Sequence, residues 1–260
     1  MANEIKIENN LFNEKKMEEY IDKYDDFLIV NNPDNTPIQD WIEKLNAGEL
    51  ENEKENYFNF RDIILTDLLG YDRKDMIFEH DVGETGRPVE FTLIKEDKEF
   101  AIIELKGSKY KDLHKKRNGQ SPIEQATNYA SVKEETKWAI VSNYDEFRLF
   151  NPSFNEKYIS FKFNQLSDEK ILKKFLLVFS KFSLIEQDIP RKLLRETRII
   201  ERELEEEFYQ LYSETRLMLI KELEHSSEDI DRLEAIRLAQ LILNRFIFLC
   251  FAEDIFLIPS

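Results

Sequence analysis

Two short apolar runs separated by a polar turn constrain the fold of this chain more than any other feature. Residues 88–95 read PVEFTLIK, residues 99–105 read EFAIIEL, and the turn at 96–98 reads EDK. Runs this rich in β-branched and aromatic residues, joined by a tight polar turn, are typical of an antiparallel β-hairpin. The fold must therefore include a β-sheet.

Helical patterns flank this hairpin on both sides. Apolar residues recur along residues 51–69 with the spacing of an amphipathic helix. Its predicted inward residues are Phe58, Ile64, Leu65, Leu68 and Leu69. A further helix is predicted over residues 121–135, and apolar runs at 137–142 and 147–150 predict a second hairpin. Helices alternating with strand pairs favour an α/β fold, in which a mixed sheet is flanked by helices.

The last third of the chain has a different composition. No glycine follows Gly119, and Leu, Ile, Glu, Lys and Arg dominate the carboxyl-terminal part. This composition predicts two long helices, over residues 191–224 and 227–253. We therefore place a boundary near residue 165, between an α/β domain at residues 1–165 and an all-helical domain at residues 166–260.

The net charge argues against a protein whose whole surface binds nucleic acid. The chain has 37 basic and 53 acidic side chains, a net charge of 37 − 53 = −16, whereas phosphates are bound by Lys and Arg. The acidity is uneven, because residues 1–60 hold 6 basic and 15 acidic side chains, 6 − 15 = −9. Residues 104–117 hold 6 basic and 2 acidic side chains, 6 − 2 = +4. Contact with nucleic acid is therefore expected at this basic loop.

Cysteine usage and hydropathy predict a cytoplasmic protein. Cys250 is the only cysteine, so an intramolecular disulfide is ruled out. The amino terminus lacks the apolar core of a signal peptide, and the most apolar segment, residues 246–252, is shorter than the roughly 20 residues needed to span a membrane. We predict no membrane contact. The apolar carboxyl-terminal segment predicts either a tightly packed helix or contact with a further domain.

The first hairpin brings acidic and basic side chains together. Glu90 lies on its first strand, and Glu104-Leu105-Lys106 ends its second strand. The short turn places positions 90 and 104 near each other, and the period of two places Glu104 and Lys106 on one face. Solvated surface charge is the common alternative at a strand end. Residues 101–103 are apolar, however, which places this group at the edge of a buried strand.

Two carboxylates beside an amine suit a magnesium site. Mg²⁺ prefers oxygen ligands, which Glu90, Glu104 and the backbone carbonyl of Leu105 supply, and Mn²⁺ can substitute for it. Lys106 is placed to position or help deprotonate an attacking water and to balance charge on a phosphate. The sequence therefore predicts a phosphodiester hydrolysis site with Glu90, Glu104 and Lys106 as catalytic residues.

Two neighbouring segments fit such a site. Gln125 reaches the phosphate or the attacking water if its helix packs over the hairpin, and a hydrogen bond at the helix N-terminus is an equal alternative. The basic loop carries the predicted DNA-contacting residues, which are Lys109, Lys111, Lys115, Lys116 and Arg117. Local positive charge beside carboxylates is what a DNA-binding surface needs in an acidic protein. An ordinary flexible surface loop is the alternative.

Residues 86–107, GRPVEFTLIKEDKEFAIIELKG, resemble the core motif of the PD-(D/E)XK nuclease superfamily. Pro88 and Glu90 stand at the Pro-Asp positions of that motif, and Glu104-Leu105-Lys106 stands at the (D/E)-X-K positions. The chain departs from the motif in two ways. Val89 separates the proline from the acid, and the acid is Glu rather than Asp.

Other segments resemble the nuclease domains of type I and type IIG restriction enzymes. Residues 60–72, FRDIILTDLLGYD, are similar to the helix that precedes their nuclease strands, and residues 125–130 match their Q-A-x-x-Y-A helix. Residues 139–150, AIVSNYDEFRLF, are similar to the hairpin that follows. Residues 241–259 resemble the helical connector that leads into the methyltransferase domain of type IIG enzymes.

This resemblance implies a PD-(D/E)XK-type mixed sheet and a Mg²⁺-dependent, site-specific endonuclease of the IIG-like type, within a restriction-modification enzyme. An upstream helix of that family often donates a further metal ligand, for which Glu53 and Glu55 are the candidates; a solvated helix face is the alternative for both. The implied partners are double-stranded DNA, methyltransferase and specificity domains outside this chain, and a second copy in a dimer on DNA.

Two other functions fit parts of the sequence. A catalytically inactive module of the same fold would bind DNA or protein, although it has no physical need to keep Glu90, Glu104 and Lys106 together. An acidic helical interaction protein would carry the hairpin charges incidentally. In that second case we expect Glu90 and Glu104 on opposite faces of the hairpin, or no binding of divalent metal.

Overall fold

The structure is a computed structural model that describes residues 7–28, 36–81, 88–117, 119–154, 156–226, 229–254 and 257. The chain forms two compact units, Met1–Thr197 and Arg198–Ser260. The division lies at Thr197, beyond the predicted boundary near residue 165, because the helix at Glu169–Phe179 packs into the core of the first unit. Residues 166–197 therefore belong with the α/β part of the chain.

The described strands of the first unit form one seven-stranded mixed sheet. The strands are β1 Glu8–Asn9, β2 Met76–Asp81, β3 Pro88–Lys95, β4 Lys98–Leu105, β5 Trp138–Ser142, β6 Glu146–Phe150 and β7 Tyr158–Lys162. They are arranged in the order β1-β7-β6-β5-β4-β3-β2, in which only the central pair β4–β5 is parallel. Both predicted hairpins are confirmed, as β3–β4 and β5–β6, whereas β1, β2 and β7 were not predicted.

Seven α-helices occur in the described part of the chain. They are α1 Glu14–Tyr24, α2 Thr36–Asn46, α3 Glu53–Asn59, α4 Pro122–Val132, α5 Glu169–Phe179, α6 Ile189–Ser226 and α7 Arg232–Asp254. Helix α4 connects the parallel strands β4 and β5, which need a crossover of this kind. The predicted α/β class, with a mixed sheet flanked by helices and a helical carboxyl-terminal region, is confirmed.

Both faces of the central strands are covered. On one face, an aromatic core surrounds the β6 residue Phe147, whose ring lies 4.5 Å from that of Phe179 and 5.9 Å from that of Phe60. On the other face, Val141 of β5 packs in a smaller core with Ala126 of α4. Strands buried on both sides carry continuous apolar runs, and β5 is buried at every position.

A β-bulge sets the register between β3 and β4. Next to the turn, Lys95 faces Lys98, whereas further along Leu93 faces Ala101. Two steps along β3, from Lys95 to Leu93, therefore correspond to three steps along β4, from Lys98 to Ala101. The unpaired extra residue on β4 is Phe100. Such a bulge shifts the pairing of every residue beyond it by one position.

This shift decides which side chains share a face at the far end of the hairpin. Phe91 faces Ile103, so Glu90 comes opposite Glu104. If the ladder continued without a bulge, Phe100 would pair with Leu93, Glu90 would come opposite Ile103, and Glu104 would point to the other face. The bulge thus places two carboxylates side by side.

Helix α3 leads directly into a wider π-helical segment, Phe60–Leu68, and this continuous helix ends at Gly70 with φ of +79°. The predicted helix over residues 51–69 is therefore confirmed. Four of its predicted inward residues are buried, namely Ile64, Leu65, Leu68 and Leu69. The fifth, Phe58, is wrong, because Phe58 is 61% exposed and Phe60 is 0% exposed. Helix positions two apart point in nearly opposite directions, and the aromatic core takes Phe60.

The second unit is a pair of helices with little buried apolar surface. Ile220 of α6 packs against Ala235 and Ala239 of α7. Exposed large apolar residues on α7 include Phe246, Phe248, Leu249 and Phe251, so the predicted tight packing of this segment is not found. The apolar stretch of α7 covers Arg232–Glu253 and is therefore longer than the predicted apolar segment 246–252. By length and composition alone it could cross a membrane, but the core helices of soluble proteins meet the same criterion.

We predict that Phe60→Ala lowers the free energy of unfolding by about 3–5 kcal/mol, because it leaves a cavity in the aromatic core. Phe58→Ala removes an exposed ring of the same size and serves as the matched control, with an expected loss below about 1 kcal/mol. Urea unfolding followed by circular dichroism measures both. Equal losses in the two variants would contradict the observed helix register.

Candidate active site

The ammonium of Lys106 lies among three carboxylates at the end of β4. Its Nζ is 2.8 Å from Glu104 Oε1, 3.3 Å from Glu53 Oε2 and 3.7 Å from Glu90 Oε1. It also donates a hydrogen bond to the backbone carbonyl of Leu105 at 2.6 Å. The predicted convergence of Glu90, Glu104 and Lys106 is therefore found in the structure, and the requirement that the two acids share a face is met.

The acidic residue from the upstream helix is Glu53, the first residue of α3. Glu55, the other candidate, is exposed on the same helix. Positions two apart on a helix are separated by about 200°, so Glu55 points away when Glu53 faces Lys106. Of the two candidates, the structure therefore places Glu53 at the cluster and Glu55 away from it.

A close backbone approach brings α3 to the site. A side chain on Gly107 would place its Cβ 2.0 Å from the backbone oxygen of Glu51. The amide of Ser108 donates to the carbonyl of Leu50 at 2.8 Å, which ties the two segments together. Only glycine allows this contact, so Gly107 is a condition for Glu53 to reach Lys106.

Hydrogen bonds hold the two hairpin carboxylates. Gln125 Nε2 donates to Glu104 Oε2 at 3.0 Å, and the amide of Leu105 donates to Glu90 Oε2 at 3.3 Å. Ser121 caps α4, its Oγ accepting from the amide of Glu124 at 3.1 Å. Gln125 is thus directed at the carboxylate cluster from a capped helix that packs over the sheet. The sequence left two equal possibilities for Gln125, a role in the site or a hydrogen bond at the helix N-terminus. In the structure, its side-chain amide contacts Glu104.

Burial and like charge act on the carboxyl groups. Burial raises the pKa of Glu104 well above its ordinary value, and the neighbouring carboxylate of Glu90 adds to this effect. Burial also raises the pKa of Glu53. Burial alone would lower the pKa of Lys106, but the charges of Glu104, Glu90 and Glu53 outweigh it and the net shift is upward. The lysine is therefore held as an ammonium.

A cleft of about 460 Å³ opens beside this cluster. Its lining includes Glu53, Lys106 and Gln125, together with Lys109 and Arg117 of the predicted DNA-binding set. The lining thus combines Glu53, one of the three carboxylates around Lys106, with basic side chains of the predicted loop, whereas Glu90 and Glu104 lie behind it.

The remaining basic residues of the loop lie outside the lining of the cleft. Lys111, Lys115 and Lys116 are exposed, and Lys116 pairs with Glu124 at 2.6 Å. Arg117 lies over the ring of Tyr110, 4.3 Å from its centroid. The structure therefore divides the predicted set into two cleft residues and three residues on the outer surface.

Sequence reasoning missed two tyrosines that hold the backbone of the site. Tyr57 donates its hydroxyl to the carbonyl of Glu90 and stacks on Phe91, with ring centroids 4.4 Å apart. Tyr144 donates its hydroxyl to the carbonyl of Glu53 at 2.8 Å. Tyr57 lies in no motif, and Tyr144 lies in the hairpin segment 139–150 without a role that the sequence assigns, so only the folded chain identifies their contacts.

The donor set suits a divalent cation. Three carboxylates and one carbonyl are hard oxygen donors, which Mg²⁺ and Mn²⁺ prefer. With all three acids ionised, the charge around the ammonium is −3 + 1 = −2, which a divalent ion neutralises. The residues present therefore fit a magnesium ion by chemistry and by charge.

The same oxygens lie 2.6–3.7 Å from Lys106 Nζ, beyond the Mg–O bond length of about 2.0–2.1 Å. In the described part of the chain, no three acidic or histidine side chains form a ready metal-binding group. The ammonium thus takes the place of a cation in this arrangement. Glu53, Glu90, Glu104 and the carbonyl of Leu105 would hold a divalent ion only in a tighter arrangement than the one they form around Nζ.

Searches of protein-family models, curated protein sequences and solved structures found no match to this chain. Its function must therefore be argued from its own residues.

We predict that Glu104→Gln stabilises the metal-free protein at neutral pH. As pH rises above 4.5, the unfolded state releases the Glu104 proton first, because the pKa is raised in the folded state, so the wild type loses stability relative to the variant. Urea unfolding across pH measures the difference, which should grow with pH and vanish in acid.

Glu135→Gln provides a control of opposite sign. Its exposed carboxylate pairs with Lys98 at 2.8 Å, which lowers the pKa of Glu135. The wild type therefore gains a small stability above the ordinary pKa and loses it in acid. If Glu104→Gln destabilised the protein at neutral pH, the burial argument would be wrong.

Proposed function

We propose that this chain is a Mg²⁺-dependent DNA endonuclease of the PD-(D/E)XK type, acting as the nuclease part of a restriction-modification enzyme. The observation that carries the proposal is the convergence of Glu53, Glu90 and Glu104 on Lys106 beside a cleft with basic walls. Carboxylates that hold a divalent ion next to a phosphate are suited to phosphodiester hydrolysis.

The carboxylates of Glu53, Glu90 and Glu104, with the carbonyl of Leu105, would hold the ion. Bound Mg²⁺ supplies a Lewis acid that polarises the phosphate and stabilises charge in the transition state. Gln125 supports this arrangement, because its amide holds one oxygen of Glu104 and leaves the other directed toward Lys106. The backbone hydrogen bond to Glu90 does the same on the neighbouring strand.

Lys106 acts as an ammonium rather than as a neutral base. In the metal-free protein its raised pKa keeps the proton on Nζ at physiological pH; as an ammonium, Lys106 would donate hydrogen bonds to an attacking water and to a phosphate oxygen. This donation orients the water in line with the bond to be broken. Attack by the water oxygen at phosphorus would form one P–O bond and break the bond to one sugar oxygen; the attacking water would give up its proton to solvent, and the leaving oxygen would take a proton from solvent.

The cleft residues Lys109 and Arg117 would contact the phosphates that flank the scissile bond, and the three outer basic residues would contact the backbone further away. These contacts make duplex binding dependent on salt and independent of sequence. Sequence specificity would come from domains outside this chain. One carboxylate cluster cuts one strand, so a double-strand break needs two copies on DNA or two binding events.

The helical residues that follow would connect this nuclease to a methyltransferase domain, in a cytoplasmic enzyme. The exposed apolar side chains of α7 support contact with a further protein surface. An inactive module of the same fold is the alternative function. This alternative is disfavoured, because burying three carboxylates around one amine costs free energy and contributes nothing to binding at a surface.

We predict that this protein nicks supercoiled plasmid DNA in Mg²⁺ or Mn²⁺, and that Lys106→Ala lowers the rate by about 10²–10⁴-fold, as loss of a group that acts on the reacting atoms does. Lys133→Ala is the matched control, because Lys133 also pairs with a carboxylate, Glu99, at 3.1 Å but lies outside the cleft lining. Gel electrophoresis of the nicked circle measures the rates.

Three results bear on the proposal. Metal-dependent nicking that only Lys106→Ala abolishes supports both the activity and the site. Equal nicking by both variants would remove Lys106 from the mechanism. No nicking by the wild type, together with metal and duplex binding, would favour the inactive module.

A further inference from the structure

The turn between β5 and β6 contains a sterically unfavourable residue. Tyr144 has φ of +68°, in the left-handed region that residues with a Cβ avoid. The residue is also completely buried. A large side chain held in this backbone conformation indicates that the rest of the structure gains from its placement.

Tyr144 ties this turn to the acidic side of the cleft. Its hydroxyl donates to the carbonyl of Glu53 at 2.8 Å, and its own carbonyl accepts from Trp41 Nε1 at 2.9 Å. Its ring packs between Trp41 and Phe60, with centroids 5.6 Å and 5.5 Å away. Burial raises the pKa of Tyr144, so the hydroxyl keeps its proton and remains a donor.

The preceding residue ties the same turn to the basic side of the cleft. Asn143 Nδ2 donates to the carbonyl of Tyr110 at 2.9 Å, and Asn143 is buried. Its Oδ1 accepts from the amides of Asp145 and Glu146, at 3.2 Å and 2.8 Å, which stabilises the turn itself. Tyr110 in turn lies under the guanidinium of Arg117.

We infer that Asn143 and Tyr144 form a clamp that sets the positions of the two walls of the cleft: Tyr144 positions Glu53, and Asn143 positions the loop that carries Lys109 and Arg117. The inference rests on the proposed nuclease function. Glu53 and Tyr110 both line the cleft, and adjacent residues of one short turn hold the backbone at each. Both are positioning residues, since neither touches substrate.

The clamp predicts that two neighbouring substitutions have separate effects. Loss of the Tyr144 hydroxyl frees the carbonyl of Glu53 and weakens metal binding, while the basic wall is unchanged. Loss of the Asn143 amide frees the loop at Tyr110 and weakens duplex binding, while the carboxylates are unchanged. A merely structural role would lower the melting temperature and shift both affinities together.

The first pair of variants is Tyr144→Phe and its control Tyr71→Phe. Tyr71 is also buried and also donates its hydroxyl to a backbone carbonyl, that of Phe179, at 2.8 Å, but far from the cleft lining. Tyr144→Phe should weaken Mn²⁺ binding about 3- to 10-fold, the equivalent of one lost hydrogen bond, with duplex affinity unchanged. Tyr71→Phe should change neither affinity.

The second pair is Asn143→Ser and its control Asn9→Ser. Serine can still accept from the following amides but is too short to reach the remote carbonyl. Asn9 Oδ1 likewise accepts from the following amides, those of Leu11 and Phe12, but its Nδ2 donates locally, to the carbonyl of Phe12 and to Glu14 Oε1, so Asn9→Ser lacks the effect on a remote segment and should change neither affinity. Asn143→Ser should weaken duplex binding about 3- to 10-fold with Mn²⁺ binding unchanged.

The experiment uses the full chain with Mn²⁺ titration by calorimetry and fluorescence anisotropy of a labelled duplex in Ca²⁺, with melting temperatures alongside. Separate shifts in the two affinities, absent from the controls, support the clamp. The clamp is overturned if the wild type binds metal and duplex but the folded variants change both affinities together or change neither. If the wild type binds neither, the proposed function fails, and the clamp is overturned with it.

Discussion

The register between β3 and β4 is the constraint on which the candidate site depends. Phe100 is left out of the pairing between β3 and β4, and this bulge brings Glu90 opposite Glu104 on one face of the sheet. Because the side-chain period of a strand is two, any odd shift would send one carboxylate to the opposite face. The placement of the two carboxylates thus depends on the β-bulge at Phe100, four residues before Glu104.

Once the two carboxylates share a face, the energetics of burial explain the rest of the cluster. Glu104 is 0% exposed, and a buried carboxylate is costly unless it is paired and hydrogen-bonded. Lys106 provides the charge, and Gln125 provides the hydrogen bond. Glu53 then makes the cluster more acidic than one ammonium can balance. A divalent ion would supply the missing positive charge, which is the physical basis of the proposed function.

The sequence predicted elements whose patterns are local. Both hairpins, the helix that crosses between the parallel strands and the long carboxyl-terminal helices follow from periodicity and turn residues. Strand β2 was missed, because its polar residues give no clear apolar run. The unit boundary was placed too early, because Phe175 and its neighbours on α5 are core residues of the α/β unit, which a helical pattern alone cannot reveal.

The site was predictable in composition but not in geometry. Strand alternation and the resemblance indicated Glu90, Glu104 and Lys106, yet Phe100 looks like any other strand residue, so the bulge has no sequence signal. The choice of Glu53 over Glu55 depends on helix phase and on the close approach at Gly107. Such tertiary contacts are decided by packing between segments that are distant in the chain.

The most direct test of the account is calorimetric titration of Mn²⁺ into the metal-free protein, repeated in buffers of different ionisation enthalpy. Because the pKa values of Glu104 and Glu53 are raised, and ligands must lose their protons, binding should release protons to the buffer. Glu104→Gln should abolish that binding. Failure of the wild type to bind Mn²⁺, or unchanged binding by Glu104→Gln, would contradict the claim that this cluster is a metal site.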